Sequence, residues 1–311
     1  MSDPFPRPVP RLPHRCSSRP ATTDDAAAIH GLVAACEREL LGRAETPLDA
    51  VTAFLSLPGL DLSADTLLVH GPDQELVGRA SVKGGTRGEV DIHPGHRGRG
   101  IGTALLDWTE ARARQVGSTR LSQVALETDT GAVTLLRSHA YEPFVTNWLL
   151  EIALPTGPGA RQVPTGISVR PFRSGDEAAA YELVEDAFAQ WQPRRKSFDE
   201  WARLTVERPA FAPALSPVAF AGDRMVGVLL ALDVPGAGEG LIDQLAVRLD
   251  HRNRGIAHLL LDESFRAFHR RGHRTCTLWT HSETGALSLY ERMGMTVRRS
   301  SVVLGKNLGA V

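Results

Sequence analysis

Leu241-Ile-Asp-Gln-Leu-Ala-Val-Arg-Leu-Asp-His-Arg-Asn-Arg-Gly-Ile-Ala-His-Leu-Leu-Leu261 reads as strand, turn and helix. From Leu241 to Val247 the residues are mostly apolar and suit a strand. From Gly255 onward Ile256, Leu259, Leu260, Leu261, Phe265 and Phe268 recur at helical spacing. The turn between them is Arg252-Asn253-Arg254-Gly255-Ile256-Ala257. A helix that opens on a glycine-containing loop aims several unpaired backbone N–H groups at one spot, and the positive end of its dipole favours an anion there. Arg252 and Arg254 add positive charge, while Gly255 and Ala257 keep bulk away. The outline is that of a pyrophosphate cradle.

Downstream of the helix come a short strand, Thr275 to Thr280, and the segment Gly285-Ala-Leu-Ser-Leu-Tyr-Glu-Arg-Met-Gly-Met295. The turn fits Arg-x-x-Gly-x-Gly/Ala between a strand and a helix, and it resembles the acetyl-CoA loop of the GNAT N-acetyltransferase superfamily. The later segment resembles that superfamily's Ala-x-x-Leu-Tyr-x-x-x-Gly-Phe, with Met295 where Phe is commoner. A dinucleotide fingerprint would need Gly-x-Gly-x-x-Gly and an acidic residue closing the next strand. Here that strand closes on Trp279-Thr280-His281.

Laying the chain on itself shows one unit twice, with a period of about 150 residues. Arg19-Pro20 and Arg170-Pro171 open the copies at an offset of 151. Each precedes an alanine-rich helix, Asp24 to about Leu41 and about Asp176 to Phe188, with Ser, Thr and Asp as N-cap candidates. A hairpin is predicted in each: Thr66 to His70 with Leu76 to Val82, and Val218 to Ala221 with Met225 to Leu232. Arg97-Gly98-Arg99-Gly100-Ile101-Gly102 matches the Arg252 turn at an offset of 155, and its helix runs to about Gln115. Gly131 to Leu136 matches Gly285 to Tyr290. These landmarks divide the chain into a Pro/Arg-rich tail (1–18), a first domain (19–154), a Pro/Gly-rich linker (155–166) and a second domain (167–311).

The tandem arrangement resembles the two-domain GNAT proteins, of which mycothiol synthase is one. The resemblance implies an α/β fold in each copy, a mixed sheet flanked by helices in which two central strands splay apart around the pantetheine arm of acetyl-CoA. It implies that main-chain groups of Leu245, Ala246 and Val247, and of Val90, Asp91 and Ile92 in the first copy, hold that arm as an added strand would. It also places Tyr290 as hydrogen-bond donor to the departing thiolate. An ordinary phenol titrates near 10 and a thiol near 8.5, so complete proton transfer is uphill by about 2 kcal/mol and hydrogen bonding is the better description. Leu136 holds the equivalent position in the first copy and donates nothing, which makes that copy structural or regulatory.

For the proton acceptor, strand alternation puts Leu241, Asp243, Leu245 and Val247 on one face, so Asp243 is the expected base, with Glu239 and His281 as other candidates. The resemblance would put a carboxylate two residues earlier, where this chain has Leu241, and the first copy has Gly88 in place of Asp243. Trp191, Phe198 and Trp201 precede the second hairpin and stand either as walls of an acceptor pocket or as core. Arg194-Arg195-Lys196 reads as a wet surface run, and the pairs His93/His96 and His269/His273 lack further partners at metal-binding spacing.

The bulk properties narrow the classes. A chain of 311 residues suits two cores without disulfides. A formal charge of −1 and a pI near 6.8 supply no global field to draw in nucleic acid or an anionic membrane. Cys16, Cys36 and Cys276 are odd in number and widely spaced, as reduced cytoplasmic thiols are, and no apolar run approaches the roughly 20 residues of a membrane span. The expectation is a cytoplasmic acetyl-CoA-dependent N-acetyltransferase, monomeric or homodimeric, using no metal and acting on a small-molecule amine through its second copy. Its rival is a non-catalytic acyl-CoA sensor or scaffold.

Overall fold

A computed structural model describes residues 8–154, 163–192, 194–233 and 238–309. They form two compact units. Unit 1 is the chain up to Thr146 together with the segment that begins at Ser301, and unit 2 runs from Asn147 to Ser300. Most of the expected linker, 155–162, and the start of the tail lie outside the described residues.

In chain order, unit 1 contains β1 (Ser17–Arg19), α1 (Ala26–Leu41), α2 (Leu48–Leu55), α3 (Leu62–Asp65), β2 (Thr66–His70), β3 (Leu76–Lys83), β4 (Arg87–Ile92), α4 (Ile101–Gln115), β5 (Arg120–Leu126) and α5 (Thr130–Ser138). Next, β6 (Glu142–Ala153) begins in unit 1 and ends in unit 2. Unit 2 continues with β7 (Ile167–Pro171), α6 (Glu177–Phe188), α7 (Phe198–Leu204), β8 (Pro217–Ala221), β9 (Arg224–Leu232), β10 (Glu239–Val247), α8 (Ile256–Arg270), β11 (Thr275–His281) and α9 (Leu287–Arg292). The last strand, β12 (Thr296–Asn307), begins in unit 2 and ends in unit 1.

The strands of unit 1 run β1-β2-β3-β4-β5 and close on the Ser301–Asn307 part of β12, which pairs antiparallel with β5. Those of unit 2 run β7-β8-β9-β10-β11 and close on the Asn147–Ala153 part of β6, antiparallel to β11. Each sheet has one parallel pair at its centre, β4 with β5 and β10 with β11. Cores lie on both faces, as strand alternation requires. Leu67 and Val69 pack with α4 residues Ile101 and Leu105, whereas Leu68 packs with Ile29 and Val33 of α1. In unit 2, Leu229 and Ala231 face the α8 core while Val228 and Leu230 face the α6 core.

The units correct the single cut read from sequence. Val302 and Leu304 lie in the core of unit 1, and Leu150 and Leu154 in that of unit 2, so each unit takes its closing strand from the other half of the sequence. Lys306 anchors the Ser301–Asn307 segment through its ammonium, 2.7 and 2.8 Å from the two carboxylate oxygens of the buried Glu110.

The starts of the first helices repeat. Arg19 grips Asp25 with two guanidinium bonds of 2.7 and 2.6 Å, and Arg170 grips Asp176 with two of 2.7 and 2.8 Å. Each aspartate also accepts a backbone N–H, from Thr22 or Arg173, at 2.8 Å. The residues just before the two helices are therefore these aspartates, with Thr22 capping the turn ahead of the first, while Ser174 takes no such place.

Candidate active site

The two glycine loops have the same construction. At the end of β10 the Arg252 guanidinium Nε donates to the Val247 carbonyl at 3.2 Å; at the end of β4 Arg97 does the same to Ile92 at 3.3 Å. Asn253 and Gly255 hold φ of +61° and +79°, and Gly98 and Gly100 hold +73° and +84°. Left-handed backbone at two alternate positions turns the chain directly into α8 and α4. Both helices start on these glycines without a side-chain cap, and their first intrahelical bonds are Leu259 N–H to Gly255 O and Ala104 N–H to Gly100 O. First-turn amides thus face the loop, the arrangement that receives a phosphate. A Cβ at Gly255 would meet nothing within 4 Å, so backbone angle, not space, is what requires glycine there. Arg252 braces the loop through the main chain, a role its charge alone does not reveal.

Beside each loop the parallel pair comes apart. The β10–β11 ladder ends at Ile242 opposite Leu278, yet Gln244 to Val247 remain paired with β9 on their other edge. In unit 1 the β4–β5 pairing is confined to Arg87 opposite Ser122. The backbone of Leu245, Ala246 and Val247, and that of Val90, Asp91 and Ile92, therefore has one edge open to a cavity.

Asp243 sits where the β9–β10 register shifts, between Ile242 opposite Ala231 and Gln244 opposite Leu230. That β-bulge overturns the simple alternation argument. Ile242 and Val247, five apart, pack in the same core, so Leu241 and Val247 do not share a face. Asp243 nevertheless lines the cavity. Burial pushes its carboxyl up from the usual range, while the Arg208 guanidinium at 3.3 Å and the Gln244 amide act in the opposite direction. The carboxylate is an ion-pair partner as it stands. Glu239 is held by Arg298 at 2.9 Å and is not among the cavity-lining residues. In unit 1 β4 has no bulge, and a Cβ at Gly88 would lie 2.4 Å from the amide of the buried Gln123, which fills the space a side chain would need.

The unit 2 cavity encloses about 630 Å³ and brings together Leu245, Ala246, Val247, Arg252, Asn253, Gly255, Ile256 and Ala257 with Asp243 and Tyr290; Arg254 stands outside it. Tyr290 is 8% exposed, and burial pushes its hydroxyl up to about 12. The unit 1 cavity, about 620 Å³, is lined by Val90, Asp91, Ile92, Arg97, Gly98, Gly100 and Gly102, with Leu136 in the place of the tyrosine. Arg99 is not part of it, and Ile101 is buried in the core. Arg97 is further tied to Glu39 at 2.6 Å and faces Asp129 at 3.8 Å.

The aromatic trio divides. Trp191 lines the unit 2 cavity, its indole N–H donating to the Glu283 carbonyl at 3.1 Å and its ring 6.3 Å from that of His281. Trp201 is fully buried core, and Phe198 is an exposed ring packed against Tyr181 at 5.6 Å. Arg194, Arg195 and Lys196 are paired with Glu200, Asp186 and Glu185 at 2.7, 2.6 and 3.3 Å, so the basic run is neutralised locally. Among the described residues no three of His, Cys, Asp and Glu gather to hold a metal ion, and no helix is long and apolar enough to cross a membrane. Sequence reasoning missed Gln244 and Cys36, whose thiol donates to the Ile92 carbonyl at 3.2 Å; only their places beside the motif could have pointed to them.

Comparison with known proteins agrees with this construction. Residues 28–141 and 178–295 each match the acetyltransferase (GNAT) family. A mycothiol acetyltransferase of Geodermatophilus obscurus is 30% identical over 276 residues, covering 80% of this chain and 88% of that protein. One from Clavibacter sepedonicus is 30% identical over 305 residues, covering 92% and 93%. Among solved structures, a GCN5-related N-acetyltransferase from Sphaerobacter thermophilus aligns with a TM-score of 0.82 at 32% identity, covering 96% of this chain and 98% of that one. A tandem GNAT protein from the clavulanic acid biosynthesis pathway shares the fold, with a TM-score of 0.73 at 17% identity over 95% and 99% of the two chains. The chain belongs to the acetyltransferase (GNAT) family and is a tandem-domain N-acetyltransferase.

Proposed function

We propose that unit 2 transfers the acetyl group of acetyl-CoA to the primary amine of a small molecule, and that unit 1 binds the same nucleotide without turning it over. The observation that carries this reading is the presence of Tyr290 in a cavity that also holds the open edge of β10 and the two left-handed residues of the Arg252 loop. The residues present suit acetyl-CoA. An unpaired strand edge at Leu245 to Val247 accepts an amide-bearing arm, and the amides behind Gly255 accept a diphosphate. When bound, acetyl-CoA supplies an activated acetyl group as its thioester.

The protein then contributes placement, a donor to the departing thiolate, and a charged partner for the incoming ammonium. Tyr290 is the donor. With its hydroxyl pushed up to about 12 and an ordinary thiol near 8.5, full transfer is uphill on the order of 5 kcal/mol, so it acts by hydrogen bonding. Asp243, desolvated and shared with Arg208, is the carboxylate toward which the ammonium is drawn. In unit 1, Leu136 and Gly88 supply neither group.

The relatives' name concerns mycothiol, but Leu241 stands where the resemblance would place a carboxylate, so the acceptor is proposed only as a small primary amine. A cytoplasmic location accords with three unpaired thiols among the described residues. The deciding experiment is release of free CoA thiol across a panel of amines. Acetylation of at least one, abolished by Tyr290→Phe, supports the reading. Silence across the panel with acetyl-CoA still bound would leave a nucleotide sensor.

A further inference from the structure

The unit 2 cavity has two walls beyond the point where β10 and β11 part, and each carries one buried acceptor without a hydrogen bond. On β10 it is the Gln244 carbonyl Oε1; on β11 it is His281 Nδ1. Neither atom has a hydrogen-bond partner among the described residues, the Glu283 carboxylate lying 4.0 Å from His281 Nδ1, although a buried acceptor left without a hydrogen bond costs about 1–3 kcal/mol. The Gln244 side-chain amide lies beside Asp243, whose carboxyl it lowers against the burial that raises it. The His281 ring is set by Trp191, whose own N–H is spent on the Glu283 carbonyl. Competing proton acceptors are committed elsewhere, Asp243 to Arg208 and Glu239 to Arg298. The equivalents in unit 1 are Glu89, paired with Arg79 at 3.5 Å, and the exposed Glu127. The two unpartnered acceptors therefore stand in the unit that has the tyrosine.

We propose that the acceptor nitrogen is received between Gln244 Oε1 and His281 Nδ1, and that His281 takes its proton. This rests on the assignment of acetyl transfer to unit 2 and adds the residues that hold and deprotonate the amine. An ammonium group brings N–H donors to both atoms. One proton passes from R–NH3⁺ to His281 Nδ1, and the freed lone pair forms the C–N bond to the acetyl carbon as the C–S bond breaks. The thiolate departs hydrogen-bonded to the Tyr290 hydroxyl, the second proton lost by nitrogen passes to water, and His281 returns its own to water. The imidazolium formed has the Glu283 carboxylate 4.0 Å from Nδ1. The other titratable or charged groups around it are Asp243, Arg252, Arg292, Tyr290, His251 and His258, all lining the same cavity.

The test compares two amines of similar shape on the full chain with acetyl-CoA: tyramine, protonated at neutral pH, and p-aminophenol, which is neutral there. His281→Ala should lower kcat/KM for tyramine roughly 10²- to 10⁴-fold, the range for one positioned base, and affect p-aminophenol less than about tenfold. His281→Asn keeps an acceptor near the Nδ1 position but takes no proton. Its KM for tyramine should stay near native while kcat falls and the acid limb of the pH–rate profile disappears. Gln244→Leu should raise the KM for tyramine about tenfold, the loss of one hydrogen bond. A His281→Ala enzyme that treats both amines alike, or that keeps the native pH profile, overturns the proposal while leaving acetyl transfer by unit 2 intact. If the unmodified chain acetylates neither amine, the same variants are compared on an amine from the panel that it does acetylate, and silence across the whole panel is what removes the assignment of activity to unit 2. Calorimetry of tyramine with the CoA-loaded chain then decides the clamp: binding weakened about tenfold by either substitution supports it, and equal or absent binding overturns it.

Discussion

The two units share a frame and differ in what they place on it. The Arg–Asp grip before the first helix, the arginine brace on the last strand carbonyl and the two left-handed loop residues recur nearly bond for bond. These are the features that shape the backbone. The differences that bear on chemistry lie at the open edge. Tyr290 corresponds to Leu136, a bulged Asp243 corresponds to Gly88 with Gln123 filling the space, and Arg97 has two nearby carboxylates besides the main-chain bond that it and Arg252 both make. A duplicated fold thus retains what sets its geometry while a few positions decide whether a unit does chemistry, and function has to be argued from those positions.

The largest expected effect breaks the symmetry outright. Tyr290→Phe should reduce turnover roughly 10²- to 10⁴-fold with acetyl-CoA affinity nearly unchanged, as loss of one positioned donor does. Leu136→Ala, at the equivalent place in unit 1, should leave turnover within about twofold and instead cost about 2–5 kcal/mol of unit 1 stability, because Leu136 is 7% exposed core. Steady-state rates and a urea melt of each variant separate the outcomes, and a Leu136 variant with lost turnover would make the units catalytically interdependent.

Next in size is the exchange of closing strands. Leu304→Ala should cost about 2–5 kcal/mol, read as faster hydrogen exchange of β5 amides in unit 1, although the residue lies in the second half of the sequence. Leu150→Ala should act the same way on β11 in unit 2. Effects in the opposite units would restore the single cut near residue 155.

This exchange marks the limit of what the sequence discloses. Helices such as Glu177–Phe188 and strands such as Thr66–His70 are legible because their periodicity and end signals are local. The loop and tyrosine are legible because a short motif carries them. Residues 142–153 and 296–307 are strands in the structure, and a period of two in a sequence would in any case say nothing about which neighbour completes the ladder. The bulge at Asp243 is equally silent, since nothing in Leu241-Ile-Asp-Gln-Leu marks the extra residue, and parity across it fails. Trp201 and Trp191, ten residues apart, divide between core and cavity according to packing that no local pattern records.

A smaller effect sharpens the likeness of the loops. Gly255→Val and Gly100→Val each force a β-branched residue into left-handed backbone, at a local cost of roughly 1–2 kcal/mol. Calorimetry with CoA should show two sites in the native chain and one in either variant, with turnover lost only for Gly255→Val. A single native site, lost on altering Gly255 and indifferent to Gly100, would make the first loop a relic of duplication.

The smallest effect concerns the paired aspartates. The Arg19 guanidinium holds the Asp25 carboxyl well below its ordinary range, opposed by burial and helped by the Thr22 backbone N–H, and Arg170 does the same for Asp176. A carboxyl depressed in the folded state contributes stability that is complete above its unfolded value of about 3.9 and is lost as pH falls through the folded value. Asp25→Asn and Asp176→Asn should therefore cost about 1–2 kcal/mol at pH 7 in urea melts, kept to the low end by the half-exposed guanidinium of Arg19, and progressively less below pH 4. The two are not quite equal, because Asp25 also accepts the Thr22 hydroxyl at 3.0 Å, whereas Arg173, which takes the place of Thr22 in the second unit, has no hydroxyl to give Asp176. Asp25→Asn should exceed Asp176→Asn by about the 0.5–1.5 kcal/mol of one hydrogen bond, and in a Thr22→Ala background that excess should vanish. If it persists, the two helix starts differ in more than one hydroxyl, and the likeness of the units ends at their first turn.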